Sequence, residues 1–272
     1  ELDHLNPFRI EMMPTLPRQF VNHPGLCFTL YQKPTAGKQR RRAIKPNMEG
    51  NTPPLLRVHS ARPQAPGGAV TLPALTLDVR PGEHVALWSP SGSGKSVLLA
   101  QIAGLLPVQQ GRIEVDRRVL DAHSATQLRQ RMAWLGQLPH VFAGSAARNI
   151  ALGRSSVGPE QVAQATQQAA LDETLAHRPG ASLGEGGAGL SGGEVVRLAL
   201  ARMAAQTQAG LLLVDEPTAH LDPETAAQIT QSLRHLARGR TMLVATHDAQ
   251  LAAAMDRVIE LPLLRRVQEQ SA

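Results

Sequence analysis

The chain has 272 residues, a net charge of +6 and 42% hydrophobic residues. This length is enough for one large domain or two small ones that fold unaided. No apolar run reaches the roughly 20 residues that a membrane-spanning helix needs, and the N-terminal residues do not resemble a signal peptide. We therefore expect a chain that does not cross a membrane by itself. The single cysteine, Cys27, excludes an internal disulfide bond and is typical of a reducing compartment.

Residues 1–53 form a proline-rich and basic stretch. Prolines interrupt every helical or strand period here, which predicts a poorly ordered extension or linker. Its positive charges are concentrated between Lys33 and Lys45. Such a cluster can contact anionic lipid or nucleic acid. Because no aromatic platform for stacking bases accompanies it, we expect a solvated basic segment and no nucleic-acid partner. Residues 266–272 are predicted to be a polar tail.

A phosphate-binding loop is predicted immediately after the apolar strand pattern of residues 84–88. The loop is rich in Gly and Ser, ends in Gly-Lys-Ser, and is followed by an apolar helical run. Glycines let backbone N–H groups turn toward phosphate oxygens, and the helix start favours the same anion. We expect Lys95 to contact the β- and γ-phosphates and Ser96 to hold Mg²⁺. The predicted nucleotide contacts in this segment are Ser89, Ser91, Gly92, Ser93, Gly94, Lys95, Ser96 and Val97.

Near-continuous apolar strands alternate with helical patterns over most of the remaining chain. The main ones are predicted at 132–137, 211–217 and 241–248. Such strands are typical of a parallel sheet covered on both faces. Two earlier strands, 55–59 and 74–79, predict a small antiparallel subdomain, and the period after Ser145 predicts a helical insert. The predicted fold class is α/β: a P-loop NTPase core with a mostly parallel sheet, an antiparallel β-subdomain and a helical insert.

Gln137, Asp215, Glu216 and His247 each follow an apolar strand, as the phosphate-binding loop does. The carboxyl ends of parallel strands lie at one sheet edge, where ligands bind, so we expect these side chains to converge with Lys95. A lysine neutralises phosphate charge, while a hydroxyl and a carboxylate hold Mg²⁺. A second carboxylate can polarise the attacking water. The set therefore predicts hydrolysis of ATP with Mg²⁺.

Leu190-Ser191-Gly192-Gly193-Glu194 resembles the signature motif, usually L-S-G-G-Q, of the nucleotide-binding domains of ATP-binding cassette (ABC) proteins. Other motifs of that family occur in its order: Walker B at 211–216, the Q-loop at Gln137, the D-loop at 219–222 and the switch histidine at His247. The resemblance extends from about Leu55 to Leu261. It implies an ABC ATPase domain over 54–265, with a helical subdomain at about 138–205.

The resemblance implies that two such domains pair head to tail and bind each ATP between the P-loop of one and the signature motif of the other. Lys95, Gln137, Glu216 and His247 would be the catalytic residues, with Glu216 as general base and His247 on the γ-phosphate. The Mg²⁺ ligands would be Ser96, Gln137 and Asp215. Across the interface, the nucleotide contacts would come from Ser191, Gly192, Gly193, Glu194 and Asp222.

Three features depart from the family pattern. Ser89 replaces the first P-loop glycine and requires a negative φ or a strained backbone there. Val97 stands where the family often has threonine. The stretch 55–73 lacks the aromatic residue on which the family usually stacks adenine. Three possibilities remain open: His59 or Arg62 takes its place, the N-terminal extension supplies the ring, or adenine is bound weakly.

The stretch 134–145 resembles exporter-type domains, in which this loop faces the membrane half. Residues 184–187 and 217–222 are most similar to bacterial thiol-reductant exporters, which move cysteine or glutathione. We interpret the chain as the ATP-hydrolysing part of an exporter, partnered by a second ATPase domain and a transmembrane domain at the cytoplasmic face of the bacterial inner membrane. Two alternatives are a soluble ABC ATPase that acts on nucleic acid or the ribosome, and a degenerate cassette that does not hydrolyse ATP.

Overall fold

The computed structural model describes residues 53–64, 72–171 and 183–261. The strands are β1 (Leu56–Ala61), β2 (Leu75–Val79), β3 (His84–Trp88), β4 (Arg112–Val115), β5 (Arg118–Val119), β6 (Met132–Leu135), β7 (Leu211–Asp215), β8 (Thr241–Thr246) and β9 (Arg257–Glu260). The helices are α1 (Lys95–Ile102), α2 (Ala125–Arg129), α3 (Ala146–Ala151), α4 (Pro159–Gln168), α5 (Gly192–Ala204), α6 (Pro223–Leu236) and α7 (Ala249–Ala253). The predicted tail and all but the last residue of the predicted extension lie outside these ranges.

Two sheets organise the described chain. One has the order β6-β7-β8-β3-β9, and all of its neighbouring strands are parallel. The other has the order β2-β1-β4-β5 and is antiparallel. The predicted α/β class is confirmed. Strand β5 was not predicted, because the two-residue turn before it places Asp116 and Arg117 at φ values of 50° and 63° without the glycine that usually marks such a turn.

Both faces of the parallel sheet are buried, which explains the continuous apolar runs of its strands. In β7, Leu212 and Val214 belong to the core that includes α5 and α6. Leu211 and Leu213 belong to the opposite core, which includes α1 and the antiparallel sheet. In the described ranges, every helix is too short or too polar to cross a membrane. The polar side chains at the carboxyl ends of these strands adjoin a sheet that is packed on both faces.

The sequence pattern predicts a helix from Val195 to about Ala205, but helix α5 begins three residues earlier, at Gly192. Ser191 caps the helix: its Oγ accepts the Glu194 amide at 3.3 Å, and Glu194 Oε2 accepts the Ser191 amide at 2.6 Å. This reciprocal capping box satisfies two amide groups and offsets the low helix propensity of glycine. A Cβ on Gly193 would lie 2.7 Å from Thr225 Cγ2. The absence of a side chain at Gly193 therefore allows α5 to approach α6 closely.

Candidate functional site

The predicted phosphate-binding loop connects β3 to α1. Gly92 and Gly94 have left-handed φ values of 76° and 96°, which glycine adopts without strain. Ser89 is fully buried and does not have a positive φ, so a serine fits where the motif usually has its first glycine. Its Oγ lies 2.5 Å from Ser93 Oγ. The substitution at Ser89 is thus built into the loop by a hydrogen bond and does not distort it.

Lys95 is the first residue of α1, and its side chain is only 4% exposed. Its Nζ donates hydrogen bonds to the carbonyl oxygens of Ser89 at 2.8 Å and Pro90 at 3.1 Å. The same Nζ lies 3.1 Å from Glu216 Oε1. The ammonium group therefore lies between its own loop and the end of β7, and its donors are satisfied by protein oxygens.

Glu216 directly follows β7 and is only 6% exposed. Its φ of 47° takes it out of the regular alternation of the strand. While Oε1 pairs with Lys95, Oε2 accepts the His247 amide at 3.2 Å and lies 2.8 Å from His247 Nδ1. His247 follows β8 and is half exposed. One buried carboxylate thus joins the lysine at the start of α1 to the histidine that follows the neighbouring strand β8.

Asp215, the last residue of β7, lies in the same buried cluster. Burial raises the pKa of its carboxyl and the neighbouring charge of Glu216 adds to this, whereas a hydrogen bond from Ser96 and the charge of Lys95 lower it. Asp215 Oδ1 is buried without a hydrogen-bond partner. A carboxylate oxygen left free beside a hydroxyl is a donor set that suits a hard cation such as Mg²⁺. The residues present therefore fit the expected metal.

The remaining P-loop residues and Gln137 lie at the same sheet edge. Ser91 is exposed on the loop, and Val97 is half-buried in α1. Gln137 follows β6, the neighbour of β7, and its side chain is exposed. The structure thus brings Lys95, Ser96, Asp215, Glu216 and His247 into contact and leaves Gln137 beside them.

The signature residues and Asp222 belong to a different region. Ser191 caps α5, and Asp222 Oδ1 accepts the Thr225 amide at 2.9 Å at the start of α6. Hydrogen bonds from Thr225 lower the pKa of Asp222. None of the hydrogen bonds or ion pairs within the described ranges joins Ser191, Glu194 or Asp222 to the Lys95 cluster.

Several contacts around the site were missed by the sequence analysis. Thr218 Oγ1 donates to Asp248 Oδ2 at 2.9 Å, between the loops that follow β7 and β8. Arg202 of α5 donates to the His140 carbonyl and, at 2.9 Å, to the Asn149 carbonyl, so it holds the loop after Gln137. The sequence did hold a sign of the contact between Thr218 and Asp248, because both residues lie within three residues of a predicted strand end.

The loop after β6 exposes apolar side chains. Leu138 is 86% exposed and Phe142 is 48% exposed. Beneath them, Arg202 lies 5.8 Å from the Phe142 ring, and Glu185 Oε2 accepts the Ala143 amide at 3.0 Å. The loop is therefore held in place from below while it presents an apolar surface.

Comparisons with known proteins agree with these features. The family model described as ABC transporter matches residues 72–219, which is more than half of the chain. A second model, described as AAA domain, putative AbiEii toxin, Type IV TA system, matches residues 194–253. A solved structure of a bacterial Atm1-family ABC exporter with ATP bound aligns with a TM-score of 0.70 and 29% identity, over 81% of this chain and 39% of that one.

Curated relatives are ATP-binding components of transporters. The lipoprotein-releasing system ATP-binding protein LolD of a Ruegeria species is 39% identical over 72% of this chain and 88% of its own length. The mycobactin import ATP-binding/permease protein IrtA of Mycolicibacterium thermoresistibile is 36% identical over 71% of this chain. The glutathione/L-cysteine transport system ATP-binding/permease protein CydC of Escherichia coli is 34% identical over 69% of it. A thiol transporter is thus among the relatives, as the motifs indicated.

The chain spans only 22% of the length of IrtA and 33% of that of CydC. Both of those relatives are named as fused ATP-binding and permease proteins. The match to LolD, in contrast, covers most of a protein that is named as an ATP-binding protein alone. The family model, these relatives and the shared fold show that this chain belongs to the ABC transporter family, in which it is an ATP-binding domain with ATPase function.

Proposed function

We propose that this chain hydrolyses ATP as the nucleotide-binding domain of an ABC exporter. The observation that carries the proposal is the position of Glu216, a buried carboxylate 3.1 Å from Lys95 Nζ and 2.8 Å from His247 Nδ1. A general base needs a partner that holds it in place and a neighbouring charge that binds the phosphate. Lys95 and His247 meet both needs. Intact chemistry of this kind argues against a degenerate cassette.

Lys95 donates to the carbonyl oxygens of its own loop. The β- and γ-phosphate oxygens of ATP compete for the same ammonium protons and form stronger, charge-assisted hydrogen bonds. Lys95 then moves onto the phosphates, and Glu216 is released to accept a proton from the attacking water. His247 leaves Glu216 and contacts the γ-phosphate.

Ser96 and Asp215 would hold Mg²⁺, with Gln137 as a further ligand. The ion would neutralise the charge on the phosphate oxygens when it is bound. The Ser96 hydroxyl forms a hydrogen bond with the Asp215 carboxyl. Asp215 would offer the ion its Oδ1, which is buried without a hydrogen-bond partner.

Two partners complete the function. A second ABC ATPase domain places its Ser191, Gly192, Gly193, Glu194 and Asp222 against the ATP held by Lys95. This agrees with the lack of a hydrogen bond or ion pair from Ser191, Glu194 or Asp222 to the Lys95 cluster within the described ranges. A transmembrane domain docks on the apolar surface of Leu138 and Phe142. With these partners, the chain would lie at the cytoplasmic face of the bacterial inner membrane.

The test is equilibrium binding of ATP with Mg²⁺, followed by gel filtration. Lys95→Ala should weaken binding by about a hundred-fold, because it removes a charged donor from the phosphates. Glu216→Gln should bind ATP without hydrolysis and form an ATP-dependent dimer. Glu224→Gln, at an exposed glutamate in the first turn of α6, is the matched control and should behave as the wild type.

Each failure has a distinct meaning. A folded wild-type chain that binds no ATP would favour the degenerate cassette. Bound ATP without a dimer of the Glu216→Gln variant would contradict the head-to-tail arrangement for this chain. Stimulation of ATP turnover by added RNA would favour an ATPase that acts on nucleic acid.

A further inference from the structure

Two hydrogen bonds between side chains join the loop after β7 to the loop after β8. The first is between Glu216 Oε2 and His247 Nδ1, at 2.8 Å. The second runs from Thr218 Oγ1 to Asp248 Oδ2, at 2.9 Å. Thr218 stands two residues after Glu216, and Asp248 is the next residue after His247. The two bonds therefore cross the same gap side by side, although only the first belongs to the expected chemistry.

Asp248 is held from two further directions. Its Oδ1 accepts the amides of Gln250 at 2.8 Å and Leu251 at 3.3 Å, and so caps α7. Its own amide donates to Thr246 Oγ1 at 2.9 Å, at the end of β8. With Thr218 on the other carboxylate oxygen, Asp248 joins the end of β8, the start of α7 and the loop after β7. His247 therefore lies between two residues, Thr246 and Asp248, whose side chains are held by hydrogen bonds.

The loop that carries Thr218 is equally constrained. Its first residue, Glu216, and its fifth, His220, both have left-handed φ values, 47° and 63°. Such backbone persists in residues other than glycine only where the surrounding structure enforces it. The Ala219 amide donates to the Glu216 carbonyl at 3.1 Å, and the Leu221 amide donates to the Thr218 carbonyl at 3.3 Å. Thr218, only 7% exposed, is thus a rigid and buried donor.

The two hydrogen bonds behave differently during the proposed hydrolysis. In the proposed mechanism His247 leaves Glu216 to contact the γ-phosphate, so the bond between Glu216 Oε2 and His247 Nδ1 opens. Within the described ranges, Thr218–Asp248 is then the remaining hydrogen bond between a side chain of one loop and a side chain of the other. We propose that Thr218 is a positioning residue that keeps His247 within reach of the γ-phosphate, acting through Asp248. This inference rests on the proposed ATP hydrolysis.

The test compares three substitutions at one position in the full chain. Thr218→Val replaces the hydroxyl by a methyl group, and Thr218→Ala removes it without adding volume, so both leave Asp248 Oδ2 without its donor. Thr218→Ser keeps the hydroxyl and is the matched control. Two readouts are measured: the steady-state kcat and KM for ATP, and hydrogen exchange of the His247 amide without nucleotide. That amide donates to Glu216 Oε2 at 3.2 Å.

We expect Thr218→Val and Thr218→Ala to lower kcat by about ten-fold, the size expected for one lost hydrogen bond to a charged group. KM should stay within about two-fold of the wild type, because Lys95 and the loop that bind the phosphates are untouched. The His247 amide should exchange faster in both variants. Thr218→Ser should restore kcat and the slow exchange.

Other outcomes overturn the inference. Unchanged kcat and unchanged exchange in Thr218→Ala would show that the bond does not position His247. Equal losses in Thr218→Ser and Thr218→Ala would assign the effect to packing of the methyl group. If Thr218→Val does not fold, the Ala and Ser pair gives the same comparison. If the wild type hydrolyses no ATP, the proposed function fails, while exchange of the His247 amide still decides whether Thr218 holds this loop.

Discussion

Lys95 Nζ lies 3.1 Å from Glu216 Oε1, and both side chains are almost completely buried. Removing one partner of a buried ion pair leaves the other charge without compensation. We expect Lys95→Met to lower the free energy of unfolding of the nucleotide-free chain by about 3 kcal/mol. The double variant Lys95→Met with Glu216→Gln should recover most of that loss. Urea unfolding of the wild type, both single variants and the double variant measures the coupling. Additive effects would contradict a buried pair.

The signature motif contains a second testable relationship, between Ser191 and Glu194. Ser191→Ala removes the cap of α5 and should lower the free energy of unfolding by about 1 kcal/mol. Glu194→Gln should leave stability nearly unchanged, because a glutamine oxygen can also accept the Ser191 amide. Thermal or urea unfolding checks both. If Glu194→Gln costs as much as Ser191→Ala, the negative charge at the helix start, rather than the capping box, is what stabilises α5.

A substitution at Ser89 tests whether serine in place of the first motif glycine impairs the phosphate-binding loop. Ser89→Gly restores the usual motif, but it removes the bond to Ser93 in a fully buried place and adds backbone freedom to the unfolded chain. We expect a loss of about 1 kcal/mol in the free energy of unfolding and no gain in ATP affinity. Equilibrium ATP binding and urea unfolding of the two chains measure both quantities. Tighter ATP binding by the Gly variant would contradict a well-formed Ser89 loop.

The sheet and its strand ends were predictable because both depend on local pattern. Continuous apolar runs bounded by Lys95, Asp215, Glu216 and His247 indicated a buried parallel sheet with these residues at one edge. The distances among them were not predictable, since they depend on the left-handed φ of Glu216, which no propensity favours for glutamate.

The start of α5 and the pairing of Thr218 with Asp248 also escaped prediction. The start of α5 was placed too late, because glycine propensity outweighed the capping box of Ser191 and Glu194 in the sequence pattern. The pairing of Thr218 with Asp248 joins residues 30 positions apart. Only the order of strands β7 and β8 in the sheet brings those two together.

Glu185 provides a pH-dependent test of the loop that exposes Leu138 and Phe142. Its Oε2 accepts the Ala143 amide and its Oε1 lies 2.9 Å from His140 Nε2, and these hydrogen bonds hold the pKa of Glu185 below its usual value of 4.5. Because the folded-state pKa is the lower one, the stabilisation is present above pH 4.5 and is lost as the pH falls through the folded-state pKa.

Hydrogen exchange of the Ala143 amide, corrected for its intrinsic rate, should therefore lose protection in that acid range. Glu185→Gln should remove the pH dependence, while Glu160→Gln, at an exposed glutamate of α4, should retain it. A wild type whose protection follows the same pH profile as that of Glu185→Gln throughout the acid range would contradict the role of the carboxylate.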